Sequence, residues 1–234
     1  MKKFLPCFLV FAMLISAGAA SAFADEALEP DFLATISGEN GTTYINLFDE
    51  ILKEDYDDLW LKYCGGDADY VTVLKTYISG DLYGQDAFDA YGDGSSGFIF
   101  DCFYINDVKA ITILGDTITI EKNDGSSETH TYSYVGKHLV GDGETMYYNG
   151  DAFSAAFECD VYRSNDEAGE FNYFFFRDDT METTFHLEFR YGTDMDNLSQ
   201  YMMGKYAYWL AAGFDAAADF ETTENVIALF CGEK

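Results

Sequence analysis

The sequence predicts a mostly β protein, an antiparallel barrel or sandwich at residues 97–192 with helices on both sides. Two observations carry this. The apolar period is helical before residue 80, alternating from Gly97 to Gly192, and helical again afterwards. The alternating part also divides into eight short runs separated by turn-forming residues, the spacing of an antiparallel meander.

The N-terminal elements follow from spacing and caps. In "TTYINLFDEILKEDYDDLWLKYC" the apolar residues Ile45, Phe48, Leu52, Tyr56, Leu59, Trp60 and Tyr63 recur at threes and fours, which predicts a helix near 43–64 capped by Thr42 or Thr43. "DADYVTVLKTYIS" predicts a second helix at 67–79, with Asp67 as N-cap and Gly80 beyond its end. "YGQDAFDAYGDGSSG" reads as a turn-rich connector. The strands read as "FIFDCFYI", "KAITIL", "TITIEK", "ETHTYSYV", "TMYYNG", "AAFECDVY", "EFNYFFFR" and "TFHLEFRY". No proline follows Pro30, so nothing bars central strands here. "DMDNLSQYMMGKYAYWLAAG" predicts a helix at 194–212, and "TTENVIALFC" a last one at 222–231 started by Thr222 or Thr223.

Residues 1–24 have the pattern of a secretory signal peptide. Lys2 and Lys3 precede an apolar run from Phe4 to Ile15, and small residues lead to a cleavage site near Ala24. No later apolar run approaches the roughly 18 residues of a membrane span. The expectation is an exported, extracytoplasmic chain of one domain over 25–234, divided into an entry segment and helices at 25–96, the barrel at 97–192 and helices at 193–234. Without the leader, 42 acidic residues face 11 basic ones, a net charge of −31. That charge argues against nucleic acid and anionic membranes as partners. Aromatic residues at 18% and hydrophobic ones at 48% exclude a disordered chain. Cys64, Cys102, Cys159 and Cys231 remain, and their spacing alone leaves the pairing open.

The chemistry-bearing stretch is "DDTMETTFHLEFRYG". Strand alternation puts His186 and Glu188 on one face, opposite Phe185, Leu187 and Phe189. Asp178 and Asp179 close the preceding strand, and a hairpin would bring them beside His186. An imidazole and two carboxylates suit zinc, while manganese or calcium would better tolerate the oxygen share. His130 reads as an exposed strand residue and His138 as one near a turn, neither with a metal role. There is no nucleophile elbow, P-loop, HExxH or dinucleotide fingerprint, so no enzymatic activity is expected.

The segment from Tyr104 to Gly192 resembles the ZinT (YodA) family and the C-terminal domain of AdcA-type zinc-binding lipoproteins. "KAITILGDTITIEKNDGSSETHTYSYVGKHLV" is similar to that family's two strands, acidic turn and Tyr-x-Tyr strand. "FECD" is similar to its Phe-Glu-Cys element, and "HLEFRYGTD" to its His-x-His strand followed by Gly and Asp. The resemblance implies a calycin, lipocalin-like barrel with helical flanks, and capture of zinc for an importer. The family's metal site uses three histidines. His186 falls on the first of the His-x-His pair, Glu188 on the second, and Asp179 (less well Asp178) on the upstream one. The family cysteine facing "FEC" falls on His130, which implies that Cys159 lacks its usual partner. Two other expectations stand beside metal capture. One is a lipocalin-like carrier of an apolar ligand; the other is a secreted hydrolase using Asp179 and Glu188 as paired carboxylates.

Overall fold

Eight antiparallel strands close into a barrel in the computed structural model, which describes residues 32–92, 102–148, 151–177 and 186–232. The leader and its cleavage site, and the tract 93–101, lie outside the described residues. The strands are β1 (Thr42–Asn46), β2 (Val108–Leu114), β3 (Thr117–Lys122), β4 (Ser127–Val140), β7 (Phe157–Ser164), β8 (Tyr173–Arg177), β9 (Leu187–Gly192) and β10 (Ala211–Asp215). Around the barrel their order is β1-β10-β9-β8-β7-β4-β3-β2, closing on β1. Two further strands, β5 (Thr145–Tyr148) and β6 (Asp151–Ser154), make a separate hairpin.

Alternation sets the core. Ile111 and Ile113 lie opposite Ile120 and Ile118, and all four are fully buried. A two-residue loop, Gly115-Asp116, joins these strands, as a tight hairpin requires. Facing β-branched pairs continue the pattern, with Thr119 and Thr129 hydroxyls 2.9 Å apart across β3 and β4. Phe174, Phe176, Phe189 and Tyr191 join the same cluster, with the Phe174 and Phe176 rings stacked at 5.4 Å. A second cluster under the helices holds Phe48, Trp60, Phe214 and Phe230.

The barrel is wider in sequence than 97–192, because β1 and β10 lie outside that range. Thr42–Asn46 is a strand where the periodicity predicts the start of a helix. It pairs with β2 on one side and β10 on the other, and Thr43 bonds Thr112 at 2.8 Å. Two ladders of backbone hydrogen bonds outweigh a local helical period, which is only a weak preference. Helix α1 (Phe32–Ser37) precedes β1. Asn46 then ends the strand and caps α2 (Leu47–Ile51), accepting from the Phe48 amide at 3.0 Å. The rest of the expected 43–64 helix is a 3-10 turn at Glu54–Tyr56 and a short helix, α3 (Asp57–Tyr63).

Helix α4 (Ala68–Ile78) matches the expectation, with Asp67 accepting from the Tyr70 amide at 3.0 Å. The connector holds a helix that the turn signals hide, α5 (Gln85–Tyr91). Of the first expected strand, residues 98–101 are outside the described residues. Residues 102–105 form no strand; they are tied down singly, Ala212 donating to the Cys102 carbonyl (2.9 Å) and Trp209 Nε1 to that of Phe103 (2.7 Å). Helix α7 (Phe220–Phe230) starts earlier than expected, capped by Asp219, whose carboxylate accepts from the Thr222 amide at 2.8 Å.

The expected helix at 194–212 is the largest difference. Only α6 (Met195–Ser199) is helical; the chain then turns through Gly204, at φ +83°, and enters β10. Arg190 explains this. Its guanidinium is fully buried and donates to three carbonyls, those of Leu198 (2.5 Å), Gln200 (2.8 Å) and Tyr206 (2.7 Å). A helix would consume carbonyls of this stretch internally, whereas a buried cation needs them as partners. In β10, Gly213 permits close packing: a Cβ there would meet the Tyr104 hydroxyl at 2.8 Å.

Candidate metal centre

The site sits where β8 ends and β9 begins. The register pairs Tyr173 with Gly192 at one end and Arg177 with Glu188 at the other. His186 immediately precedes β9, just beyond the last pair. Along β9 the alternation holds: Phe189 and Tyr191 pack against Phe174, at 6.3 and 5.5 Å between ring centroids. Glu188 and Arg190 therefore point to the opposite face, which Arg177 and Phe175 share as their cross-strand partners.

On that face His186 Nε2 lies 3.9 Å from Glu188 Oε1, and Arg177 Nη1 lies 3.0 Å from Glu188 Oε2. The three side chains are 5%, 13% and 20% exposed respectively for His186, Glu188 and Arg177, so the group is nearly closed to water. The Arg177 guanidinium also lies over the Phe157 ring at 5.3 Å. Cys159 belongs to the same neighbourhood. Burial pushes its thiol well above the ordinary range, Arg190 and Arg177 pull it down, and Glu188 and Asp160 push it up. It is therefore a neutral thiol at physiological pH.

The structure thus brings together His186 and Glu188, two of the three residues expected as ligands. The third, Asp179, and its alternate Asp178 lie outside the described residues. Donor atoms on one zinc ion sit within about twice a 2.0–2.2 Å bond of each other, so a 3.9 Å separation is compatible with a shared ion. Among the described residues no three His, Cys, Asp or Glu side chains gather as a metal-binding group. Arg177 is the residue that sequence reasoning missed. It ends the "EFNYFFFR" strand, but only the register reveals that it faces Glu188, where its guanidinium holds the carboxylate oxygen that His186 does not approach.

The other histidines have different surroundings. His130 is a strand residue, as expected, but its side chain is only 11% exposed. Its Nδ1 is 2.9 Å from Asp166 Oδ1 and its Nε2 3.2 Å from Glu128 Oε2. Burial disfavours the charged ring, yet the bonds to Asp166 and Glu128 outweigh that and raise its pKa. His138 lies opposite Cys159 in the β4–β7 ladder and edge-on to Phe175, at 5.7 Å.

Among the described residues, two open clefts lie elsewhere. One of about 550 Å³ is bordered by Arg163, Asp166, Tyr173 and Thr193, the other of about 540 Å³ by Leu52, Leu61, Val71 and Lys75 of the helical layer. No helix among the described residues is long and apolar enough to cross a membrane.

No protein-family model matches the sequence, and no curated protein matches it. Solved structures do match in three dimensions. The Zn(II)-bound ZinT-like domain of AdcA from Streptococcus pneumoniae aligns over 89% of this chain and 94% of its own, with a TM-score of 0.50 and 16% identity. Zn(II)-bound AdcA from the same organism aligns over 84% of this chain at 17% identity and a TM-score of 0.47. This chain spans 35% of that longer protein. A closed antiparallel eight-stranded barrel with flanking helices, aligned along nearly the whole of both chains, gives this protein the fold of the ZinT-like domain.

Proposed function

We propose that this protein captures a divalent metal ion, zinc first and manganese as the alternative, using His186, Glu188 and Asp179, and that it is not an enzyme. The observation carrying this reading is the buried His186–Glu188 pair, with donor atoms 3.9 Å apart where β8 ends and β9 begins. The fold adds support, since the ZinT-like domain that shares it was solved with Zn(II) bound. Asp179 follows Arg177, the cross-strand partner of Glu188, by two positions in the sequence, which is why it is the third ligand in this reading. One imidazole and two carboxylates would leave a net charge of zero on a bound divalent ion. Arg177 must release Glu188 for both of its oxygens to serve the metal.

In the same reading the chain is exported after loss of its leader near Ala24 and passes the ion to the binding protein of a metal importer. The carrier reading has less support. Phe174, Phe176, Phe189 and Ile111 are fully buried in one packed cluster, and both clefts are bordered by charged residues. The hydrolase reading needs a second carboxylate facing Glu188; on the described side of the hairpin Glu188 faces Arg177 instead.

Elemental analysis of the full chain, purified without chelator, tests the proposal. It predicts close to one equivalent of zinc or manganese, lost from His186→Ala. A metal-free protein that also fails to take up added zinc or manganese would overturn it.

A further inference from the structure

We infer that Cys64 and Cys231 form a disulfide that staples the N-terminal helical layer to the C-terminal helix. Cys64 is the C-terminal cap of α3 and Cys231 that of α7. Their sulfur atoms are 3.1 Å apart, about 1 Å beyond a disulfide bond. The two helix ends are fixed toward each other by contacts that do not involve sulfur. Glu224 of α7 accepts from Lys62 at 2.7 Å and from the Tyr63 hydroxyl at 2.8 Å. Phe48 and Phe230 pack at 5.4 Å beneath them. The thiols are thus presented to each other by the fold, and closure needs only a small side-chain adjustment.

The chemistry is thiol–disulfide exchange with a disulfide donor, either a low-molecular-weight disulfide or an oxidised dithiol oxidoreductase. Cys231 is the partly exposed member and Cys64 the buried one, so Cys231 is the attacking thiolate. It displaces one thiolate from the donor and forms a mixed disulfide. Cys64 then attacks the Cys231 sulfur and releases the second thiol. The two cysteines lose two electrons and two protons, and the donor is reduced to two thiols. The leader read from residues 1–24 would carry the chain to a compartment that supplies such donors. The bond joins residues 167 positions apart, so it encloses nearly the whole barrel, and long loops gain most from closure.

The remaining cysteines make the assignment specific. Cys102 borders the same helical cluster, so it is the competitor for either partner. Cys159 lies in the other cluster, within β7.

The test is peptide mapping of the full chain after incubation with excess oxidised glutathione and alkylation under denaturing conditions without reductant. The expected product is lighter than the reduced chain by two hydrogens and yields a Cys64–Cys231 peptide, with Cys102 and Cys159 alkylated. Recovery of Cys64 and Cys231 both alkylated, both as glutathione adducts, or either one bridged to Cys102 would overturn the proposal. A second readout is the thermal midpoint, which should fall by roughly 5 °C or more on reduction of the wild-type chain. Cys231→Ser should show no such drop. If that variant does not fold, the wild-type comparison with and without reductant stands alone, and an unchanged midpoint would overturn the stapling role.

Discussion

Arg177 and Glu188 close the β8–β9 ladder as its last cross-strand pair, with Nη1 3.0 Å from Oε2 and His186 3.9 Å from the other carboxylate oxygen. A guanidinium therefore holds one side of the carboxylate that a metal would need. Two like charges a few ångströms apart at a partly shielded site repel by about 1 kcal/mol or more. Arg177→Gln should accordingly raise zinc affinity about three- to tenfold by titration calorimetry. Unchanged or weaker binding would mean that Arg177 orients Glu188 for the metal instead of competing with it.

Arg190 should matter to folding. Replacing it by Met leaves the Leu198, Gln200 and Tyr206 carbonyls without their donor in a buried setting. Each unsatisfied group costs about 1–3 kcal/mol, so the loss should reach about 3–5 kcal/mol in denaturant unfolding. A loss below about 1 kcal/mol would show that the loop finds other partners. Burial pushes the guanidinium down to about 10, so it remains charged at neutral pH and Lys is a poor substitute for its three-way fork.

How far the sequence reveals this protein varies by element. The barrel strands β2, β3, β4, β7, β8 and β9 are legible because runs such as "KAITIL" and "TITIEK" alternate cleanly and their turns carry Gly and Asp; "TMYYNG", expected in the same meander, instead pairs with Asp151–Ser154 in a separate hairpin. Strands β1 and β10 are not. "TTYIN" runs directly into a helical period, and "AAGFD" has the small residues of a helix packing face. Both become strands through partners distant in sequence: Tyr44 faces Ile111 and Asp215, and Ala212 faces Glu188. At the site, alternation correctly puts His186 with Glu188 and sends Leu187 and Phe189 to the core. It misses Arg177, because cross-strand partners depend on a hairpin register that neither strand encodes alone. Arg190 is hidden for a related reason, since its partners are backbone carbonyls eight to sixteen residues away.

Tyr191 clamps the irregular 102–105 segment to β9. Its hydroxyl donates to the Ile105 carbonyl at 2.7 Å and accepts from the Ile105 amide at 2.9 Å. Tyr191→Phe keeps the ring stack but leaves both backbone groups unpaired. It should cost about 1–3 kcal/mol by chemical denaturation, and a neutral effect would show that water replaces the hydroxyl.

His130 gives a pH dependence of known sign. Its folded-state pKa lies above the ordinary value near 6.5, burial opposing the shift while Asp166 and Glu128 drive it. Its stabilising effect is then fully present below that ordinary value and is lost as pH rises through the raised one. Thermal midpoints measured across the neutral range should show this decline in the wild type and a flatter profile in His130→Gln. Identical slopes would remove His130 as the cause.

The central claim is that His186 and Glu188 hold one divalent ion. It is tested most directly by zinc titration calorimetry of the wild type, His186→Ala and Glu188→Gln, with folding checked by circular dichroism. The account predicts a single site in the wild type, weaker by about tenfold or more in each variant and weaker on acidification, because a ligating imidazole must be neutral. Equal zinc affinity in all three proteins would contradict it.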